Sequence, residues 1–186
     1  CAPLGRRSHP YRETTMPSDP SRPLKIMFAA PTLSSGGAER VISILANYWA
    51  AAGRDMSITT FERPTATSYY HVDERVRVHR LDLPPVSKPR WRAILHTFKR
   101  IGALRRLIRA ERPDVIISFL TKMNVMTAQA AHGLGVPVII SERNNPYLQK
   151  FETFWDLSRA IAFPKAFAFV TMTRGAAEFF PENQRP

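Results

Sequence analysis

The 186-residue sequence predicts an α/β protein built on a doubly wound, parallel, Rossmann-like sheet. Short apolar runs at Leu24–Ala30, Asp114–Phe119 and Val136–Ile140 lack the alternation of a half-exposed strand, so they read as strands buried on both faces. The stretches between such runs carry apolar residues at helical spacing. Strand and helix alternate along the whole chain, with no internal repeat or low-complexity block.

The first strand, Leu24–Ala30, leads into Pro31-Thr-Leu-Ser-Ser-Gly-Gly-Ala-Glu-Arg40. Behind that turn Val41, Ile44, Leu45, Tyr48, Trp49 and Ala52 mark a helix, and Gly53 stands where it should end. Gly36 falls at the N-cap and has no side chain to bond the first free amides, which leaves donors suited to a phosphate or another anion. Glu39 brings charge of the wrong sign and serves the helix dipole equally well, so a simple tight turn stays open as the alternative. The spacing fits neither G-x-G-x-x-G nor G-x-x-x-x-G-K-[ST].

Met56–Phe61 is the expected second strand, and Glu62 after it is placed as a ribose-gripping acid would be in a dinucleotide fold, although the three-glycine fingerprint is missing. Residues 63–75, with proline, serine and paired tyrosines, read as a surface connection to a third strand at Val76–Leu83. A long helix is expected over Lys88–Arg112, with Trp91, Ile94, Leu95, Phe98, Ile101, Leu104 and Ile108 on one face. Arg112-Pro113 ends it before the next strand. The turn Leu120–Asn124 and a helix from Val125 to Leu134, closed by Gly135, precede the strand Val136–Ile140 and the turn Ser141–Pro146. A helix over Phe151–Ala162, a strand over Ala166–Met172 and a short helix over Arg174–Phe180 complete the pattern. If the strands are parallel, the turns carrying Gly36 and Gly37, then Thr121, Lys122 and Asn124, then Glu142, Arg143 and Asn144 all open at one sheet edge.

Composition sets further bounds. The length suits one substantial domain, with residues 24–186 as its span and residues 1–23 as a disordered polar leader in which Met16 is a candidate start. A single cysteine, Cys1, leaves no internal disulfide and no thiolate metal cluster, and no metal ligand set stands out. No apolar run approaches the roughly 20 residues that span a bilayer, and the leader lacks a signal-peptide core; a cytoplasmic protein is expected. Net charge is +12, and nine basic residues between Lys88 and Arg112 face Glu111 alone, a local +8. Three readings of that segment stay open. It is a sheet-covering helix with a solvated basic face, or a helix meeting an anionic membrane through Trp91, Lys99, Arg100, Arg106 and Arg109, or a nucleic-acid surface. No stacking aromatics or DNA-binding motif accompany the charge, so no nucleic-acid partner is expected.

Gly36-Gly-Ala-Glu-Arg-Val41 closely resembles the first βα loop of the family-4 glycosyltransferases, which have the GT-B fold. Arg112-Pro-Asp-Val-Ile-Ile-Ser118, Gly135-Val-Pro-Val-Ile-Ile-Ser-Glu-Arg-Asn144 and Val170-Thr-Met-Thr-Arg-Gly-Ala-Ala177 extend the resemblance from about Lys25 to Phe180. The resemblance implies the N-terminal, acceptor-side domain of a retaining hexosyltransferase-type enzyme that moves a sugar from a nucleotide sugar to a glycan or lipid-linked acceptor in cell-surface polysaccharide or glycoconjugate synthesis. It further implies no cofactor or bound metal and a donor-binding C-terminal domain or subunit, with its E-x7-E pair, that this chain lacks and without which it is inactive; peripheral contact with the inner face of the plasma membrane is the expectation that the basic Lys88–Arg112 segment adds. Substrate or phosphate contacts are expected at Gly36, Gly37, Thr121, Lys122, Asn124, Glu142, Arg143 and Asn144. No catalytic residue is assigned, because Phe119-Leu-Thr-Lys-Met-Asn124 lacks the histidine some relatives carry there, and His132 reads as structural. A non-catalytic sugar- or phosphate-binding module is the alternative, with an NAD-type oxidoreductase behind it.

Overall fold

The computed structural model describes residues 22–84, 90–144, 147–148 and 153–180, without the side chains of Arg90 and Trp91. The leader expectation therefore lies almost wholly outside the described residues, as does the membrane assignment of the Trp91 side chain. The elements run β1 (Lys25–Ala29), α1 (Gly37–Ala51), β2 (Asp55–Thr60), β3 (Arg77–Arg80), α2 (Arg90–Glu111), β4 (Val115–Phe119), α3 (Thr121–Ala131), β5 (Val138–Glu142), α4 (Thr153–Ala162), a 3-10 turn (Phe163–Lys165), β6 (Ala168–Thr171) and α5 (Arg174–Glu178). All six strands are parallel in the order β3-β2-β1-β4-β5-β6. This is the doubly wound, Rossmann-like sheet the alternation predicts.

Successive strand residues point to opposite faces, so each strand feeds two cores. Met27 and Ala29 join Leu104, Ile108, Met126 and Phe163 beneath α2, α3 and α4. Ile26 and Phe28 join Ile42, Ala46 and Ile58 beneath α1, where the Phe28 ring meets Trp49 at 5.5 Å and Phe119 edge-on at 5.4 Å. Both faces are covered by helices, which is why these strands carry unbroken apolar runs.

Three sequence readings need correction. The buried stripe of α1 is Ala38, Ile42, Ala46 and Ala50, while Ile44 and Tyr48 are 57% and 68% exposed; small residues let the helix lie close to the sheet and push its larger side chains outward. In α2 the buried positions are Thr97, Ala103, Leu104 and Ile108, and Ile94, Leu95 and Phe98 are exposed, because only the C-terminal half of this 22-residue helix packs tightly on the sheet. Helix α3 begins at Thr121 rather than Val125, and β5 runs on to Glu142, so Thr121, Lys122, Asn124 and Glu142 sit on regular elements rather than on turns.

Candidate substrate cleft

The chain builds β1, β2 and β3 outward in one direction and β4, β5 and β6 in the other, so the strand order reverses between β1 and β4. Loops diverge at such a point and leave a crevice beyond the strand C-termini. Ala29 pairs with Ser118 and Phe119 with Ser141, which brings the ends of β1, β4 and β5 side by side at about 5 Å per strand. The three predicted turns do share this edge.

On the β1 side, Gly36 is the N-cap of α1, in extended backbone, and no side-chain hydrogen bond caps the helix. Glu39, 8% exposed, folds back over this helix start and accepts a hydrogen bond from the Thr32 hydroxyl at 3.2 Å. A Cβ on Gly36 would lie 1.9 Å from Glu39 Oε2, whereas one on Gly37 would meet nothing within 4 Å. Close approach of a carboxylate therefore accounts for glycine at 36, and a negative charge already stands over the amides that the sequence offers to an anion. Glu62 accepts the Leu33 amide at 3.1 Å and so braces the same loop.

On the β4 side, Leu120 takes φ 72° and ψ 139°, a backbone conformation that L residues rarely adopt, at the step from strand to helix. It is pinned by its own amide to the Ser141 carbonyl at 3.2 Å and by its carbonyl to the Asn124 amide at 2.8 Å. This turn sets the first residues of α3 against the end of β5. The Thr121 hydroxyl donates to Glu142 at 2.7 Å, and the Asn144 amide reaches the other Glu142 oxygen at 3.2 Å. Burial pushes the Glu142 carboxyl above its ordinary pKa, against these hydrogen bonds and the charge of Arg159, which hold it down.

Asn124 is fully buried; its amide nitrogen donates to the Ser141 carbonyl at 3.3 Å, while its Oδ1 has no partner. Arg143 Nε is likewise unpartnered and shielded from solvent. Lys122 is exposed, with Nζ 5.1 Å from the Trp155 ring centre. The strand-end edge thus has a β1 side carrying Glu39 and Glu62 and a β4–β5 side carrying Lys122 and Arg143 beside the buried Glu142. A ligand with both hydroxyl groups and phosphate fits such a division better than a bare anion.

Sequence reading missed Arg159, which lies beneath this cleft, stacks against Phe179 and Phe180 at 5.7 and 5.3 Å, and pairs with Asp156 at 3.2 Å. The Asp-to-Arg spacing of three on one helix was its signal. His132 is the exposed C-cap of α3, its carbonyl bonded by Arg105 at 2.7 Å, and lies at the helix end away from the cleft. Among the described residues no group of three or more His, Cys, Asp or Glu is placed to hold a metal ion, and no helix is long and apolar enough to cross a membrane.

One membrane assignment fails on geometry. Arg100 is turned inward: Nε and an Nη donate to the Leu83 carbonyl at 2.9 and 2.7 Å, and the guanidinium lies 4.7 Å from the Phe61 ring centre. Burial lowers its pKa, and its guanidinium is committed to these inward contacts. Lys99, Arg106 and Arg109 are exposed. Leu83 together with Leu95, Phe98, Lys99, Gly102 and Arg106 lines a groove of about 840 Å³ beside α2.

Residues 36–186 match the family described as glycosyl transferase 4-like domain. A Campylobacter jejuni protein, GalNAc-α-(1→4)-GalNAc-α-(1→3)-diNAcBac-PP-undecaprenol α-1,4-N-acetyl-D-galactosaminyltransferase, is 32% identical over 145 residues, which are 76% of this chain and 38% of that protein. Sucrose-phosphate synthase from Thermosynechococcus elongatus superposes with a TM-score of 0.66 at 11% identity, over 83% of this chain and 44% of that one. Acinetobacter baumannii MurG superposes at 0.59 and 18% identity, over 86% and 43%. A UDP-N-acetylglucosamine 2-epimerase from Rickettsia bellii gives 0.56 at 15% identity, so the shared feature among these structures is the fold. The chain spans about two fifths of the curated relative's length and under half of each of these three structures. By the extent of its family match, the chain belongs to the family-4-like glycosyltransferases.

Proposed function

We propose that this chain is the acceptor-side half of a retaining glycosyltransferase that passes a sugar from a nucleotide sugar to a lipid-linked or free glycan in cell-surface glycoconjugate synthesis. The observation that carries the reading is the shared sheet edge at the β1–β4 switch point in a chain of this family, where Lys122 and Arg143 stand with the hydrogen-bonded Glu142 on the β4–β5 side and Glu39 and Glu62 stand on the β1 side. A diphosphate-linked sugar offers phosphate to the cations and hydroxyls to the carboxylates. The C. jejuni relative, whose name specifies an undecaprenol diphosphate substrate, supports that acceptor class.

In this reading Arg143 forks onto two phosphate oxygens and Lys122 supplies a second charge, while Thr121 and Asn144 hold Glu142 in place behind them. Asn124 Oδ1 is held as a spare acceptor at the floor. Donor binding and completion of the site fall to a C-terminal domain or subunit carrying the E-x7-E pair, and transfer requires both halves. No resident cofactor or metal enters the reading; the nucleotide sugar is a substrate.

The outer side of α2 docks on the inner face of an anionic membrane. Leu95 and Phe98, 52% and 59% exposed, enter the headgroup layer, with Lys99, Arg106 and Arg109 around them. Basic side chains at such a surface contribute about 1 kcal/mol each, and salt weakens them.

The test is calorimetric titration with a polyprenyl-diphosphate-linked N-acetylhexosamine, with UDP-sugars and with NAD. Binding of the lipid-linked glycan ahead of NAD is expected. Tight NAD binding would revive the dinucleotide reading. Binding without transfer, after the donor half has been supplied, would favour a non-catalytic binding module.

A further inference from the structure

We propose that Tyr69, Glu62 and Glu39 form a sugar-stacking subsite on the β1 side of the cleft, which takes a neutral acceptor pyranose next to the diphosphate. The proposal rests on the acceptor reading above and adds to it a ligand position.

Tyr69 lies in the connection between β2 and β3 and is 69% exposed, yet its backbone is fixed. Its amide donates to the Leu33 carbonyl at 2.9 Å, and the Leu33 amide donates to Glu62 at 3.1 Å. Leu33 itself is 1% exposed and packed in the α1-side core, so the clamp is rigid. The adjacent Ser68 hydroxyl is held by Arg80 at 3.1 Å. The Tyr70 ring meets the Tyr69 ring edge-on, 5.0 Å away and at 80°, which restricts the rotation of the exposed ring. A large exposed aromatic side chain whose backbone is tied to the β1–α1 loop in this way offers contact area at low cost in conformational entropy.

The neighbouring groups select the chemistry. Glu39 and Glu62 both converge on residues 32–36, Glu39 through Thr32 and Glu62 through Leu33. Ionised carboxylates accept hydrogen bonds and donate none, and they repel phosphate. Sugar hydroxyls donate, and the C–H face of a pyranose is apolar enough to lie on an aromatic ring. Phosphate is left to Lys122, one strand spacing from the end of β1, and to Arg143, two spacings or about 10 Å from it. A sugar joined to a diphosphate covers a span of that order.

The experiment titrates the folded chain with three probes: a neutral N-acetylhexosamine disaccharide, inorganic pyrophosphate and UDP-N-acetylglucosamine. Wild type should bind the disaccharide, Tyr69→Ala should weaken it roughly tenfold, and Tyr69→Trp should restore it to within about twofold. Pyrophosphate affinity should be unchanged in Tyr69→Ala and should rise in Glu39→Gln, where one repelling charge is gone. Because Tyr69 is exposed, unaltered far-UV circular dichroism is expected and shows that the fold is intact. No disaccharide binding by wild type, or equal binding by Tyr69→Ala, overturns the subsite and leaves lipid-diphosphate binding as a separate result. If Tyr69→Ala loses UDP-N-acetylglucosamine and keeps the disaccharide, the ring serves the donor, and both the subsite and the acceptor reading beneath it fall.

Discussion

Replacing Gly36 with alanine isolates the contact that shapes the start of α1. Gly36 has φ −111° and ψ 163°, which any residue adopts, so the backbone contributes no strain. The added Cβ would stand 1.9 Å from Glu39 Oε2 and 2.8 Å from its Cδ. These atoms are the end of a flexible side chain, so the carboxylate swings outward and the cost is what it leaves behind. It gives up the Thr32 hydrogen bond, a net of about 0.5–1.5 kcal/mol, and its position in the helix dipole, about 0.3–1 kcal/mol. A loss of about 1–2 kcal/mol is expected, read in urea unfolding followed by circular dichroism as a midpoint lowered by about half a molar or more. Gly37→Ala, in open space at the first helical position, should hold or gain stability through helix propensity. Glu39→Ala should cost about 1 kcal/mol in the native background and almost nothing beside Gly36→Ala, because the alanine has already expelled the carboxylate. Equal effects of Gly36→Ala and Gly37→Ala, or additive effects in the double variant, would refute the account of this loop.

Other perturbations separate the remaining parts. Glu142 has a folded pKa raised by burial, so its contribution to stability is fully present below the unfolded glutamate pKa and is lost as pH rises through the folded value. Glu142→Gln should therefore gain on wild type in denaturant titrations as pH rises above the ordinary glutamate range, and a pH-independent difference contradicts the assignment. Arg100→Glu should lower stability through loss of the Leu83 and Phe61 contacts, whereas Lys99, Arg106 and Arg109 reversed together should abolish capture by anionic vesicles and leave the unfolding midpoint within about 0.5 kcal/mol. Vesicle binding insensitive to salt would count against electrostatic docking. Arg143→Lys keeps the charge and loses the planar fork; roughly tenfold weaker binding of a lipid diphosphate is expected by titration, and unchanged affinity removes Arg143 from the site.

Apolar runs and turn chemistry made the strand order of events legible, because a strand buried on both faces must be apolar throughout and Gly36 and Gly53 punctuate α1 at its two ends. Helix faces were less legible. Periodicity selected Ile44, Tyr48 and Phe98 as core because they are large and apolar, but α1 approaches its sheet through alanines and Ile42, and the first turns of α2 leave Ile94, Leu95 and Phe98 exposed. That Thr121, Glu142 and Asn144 stand near one another was legible, since each lies at or just past a strand end of a parallel sheet, and they meet in one hydrogen-bonded cluster. The fold-back of Glu39 over Gly36 and the inward turn of Arg100 depend on side-chain paths that no spacing encodes. Tyr69 was readable only as part of a polar connection, because its relation to Leu33 is a contact across 36 positions of sequence.

Amide chemical-shift mapping with a short-chain polyprenyl-diphosphate-linked N-acetylhexosamine tests most directly that the crevice at the β1–β4 switch point receives the acceptor. Perturbations should concentrate at Thr32–Ala38, Thr121–Asn124 and Glu142–Asn144, and should shrink when Arg143 is replaced by lysine. Perturbations gathered instead at the opposite sheet edge, where Lys25, Asp55 and Val115 begin their strands, would contradict the placement of the site.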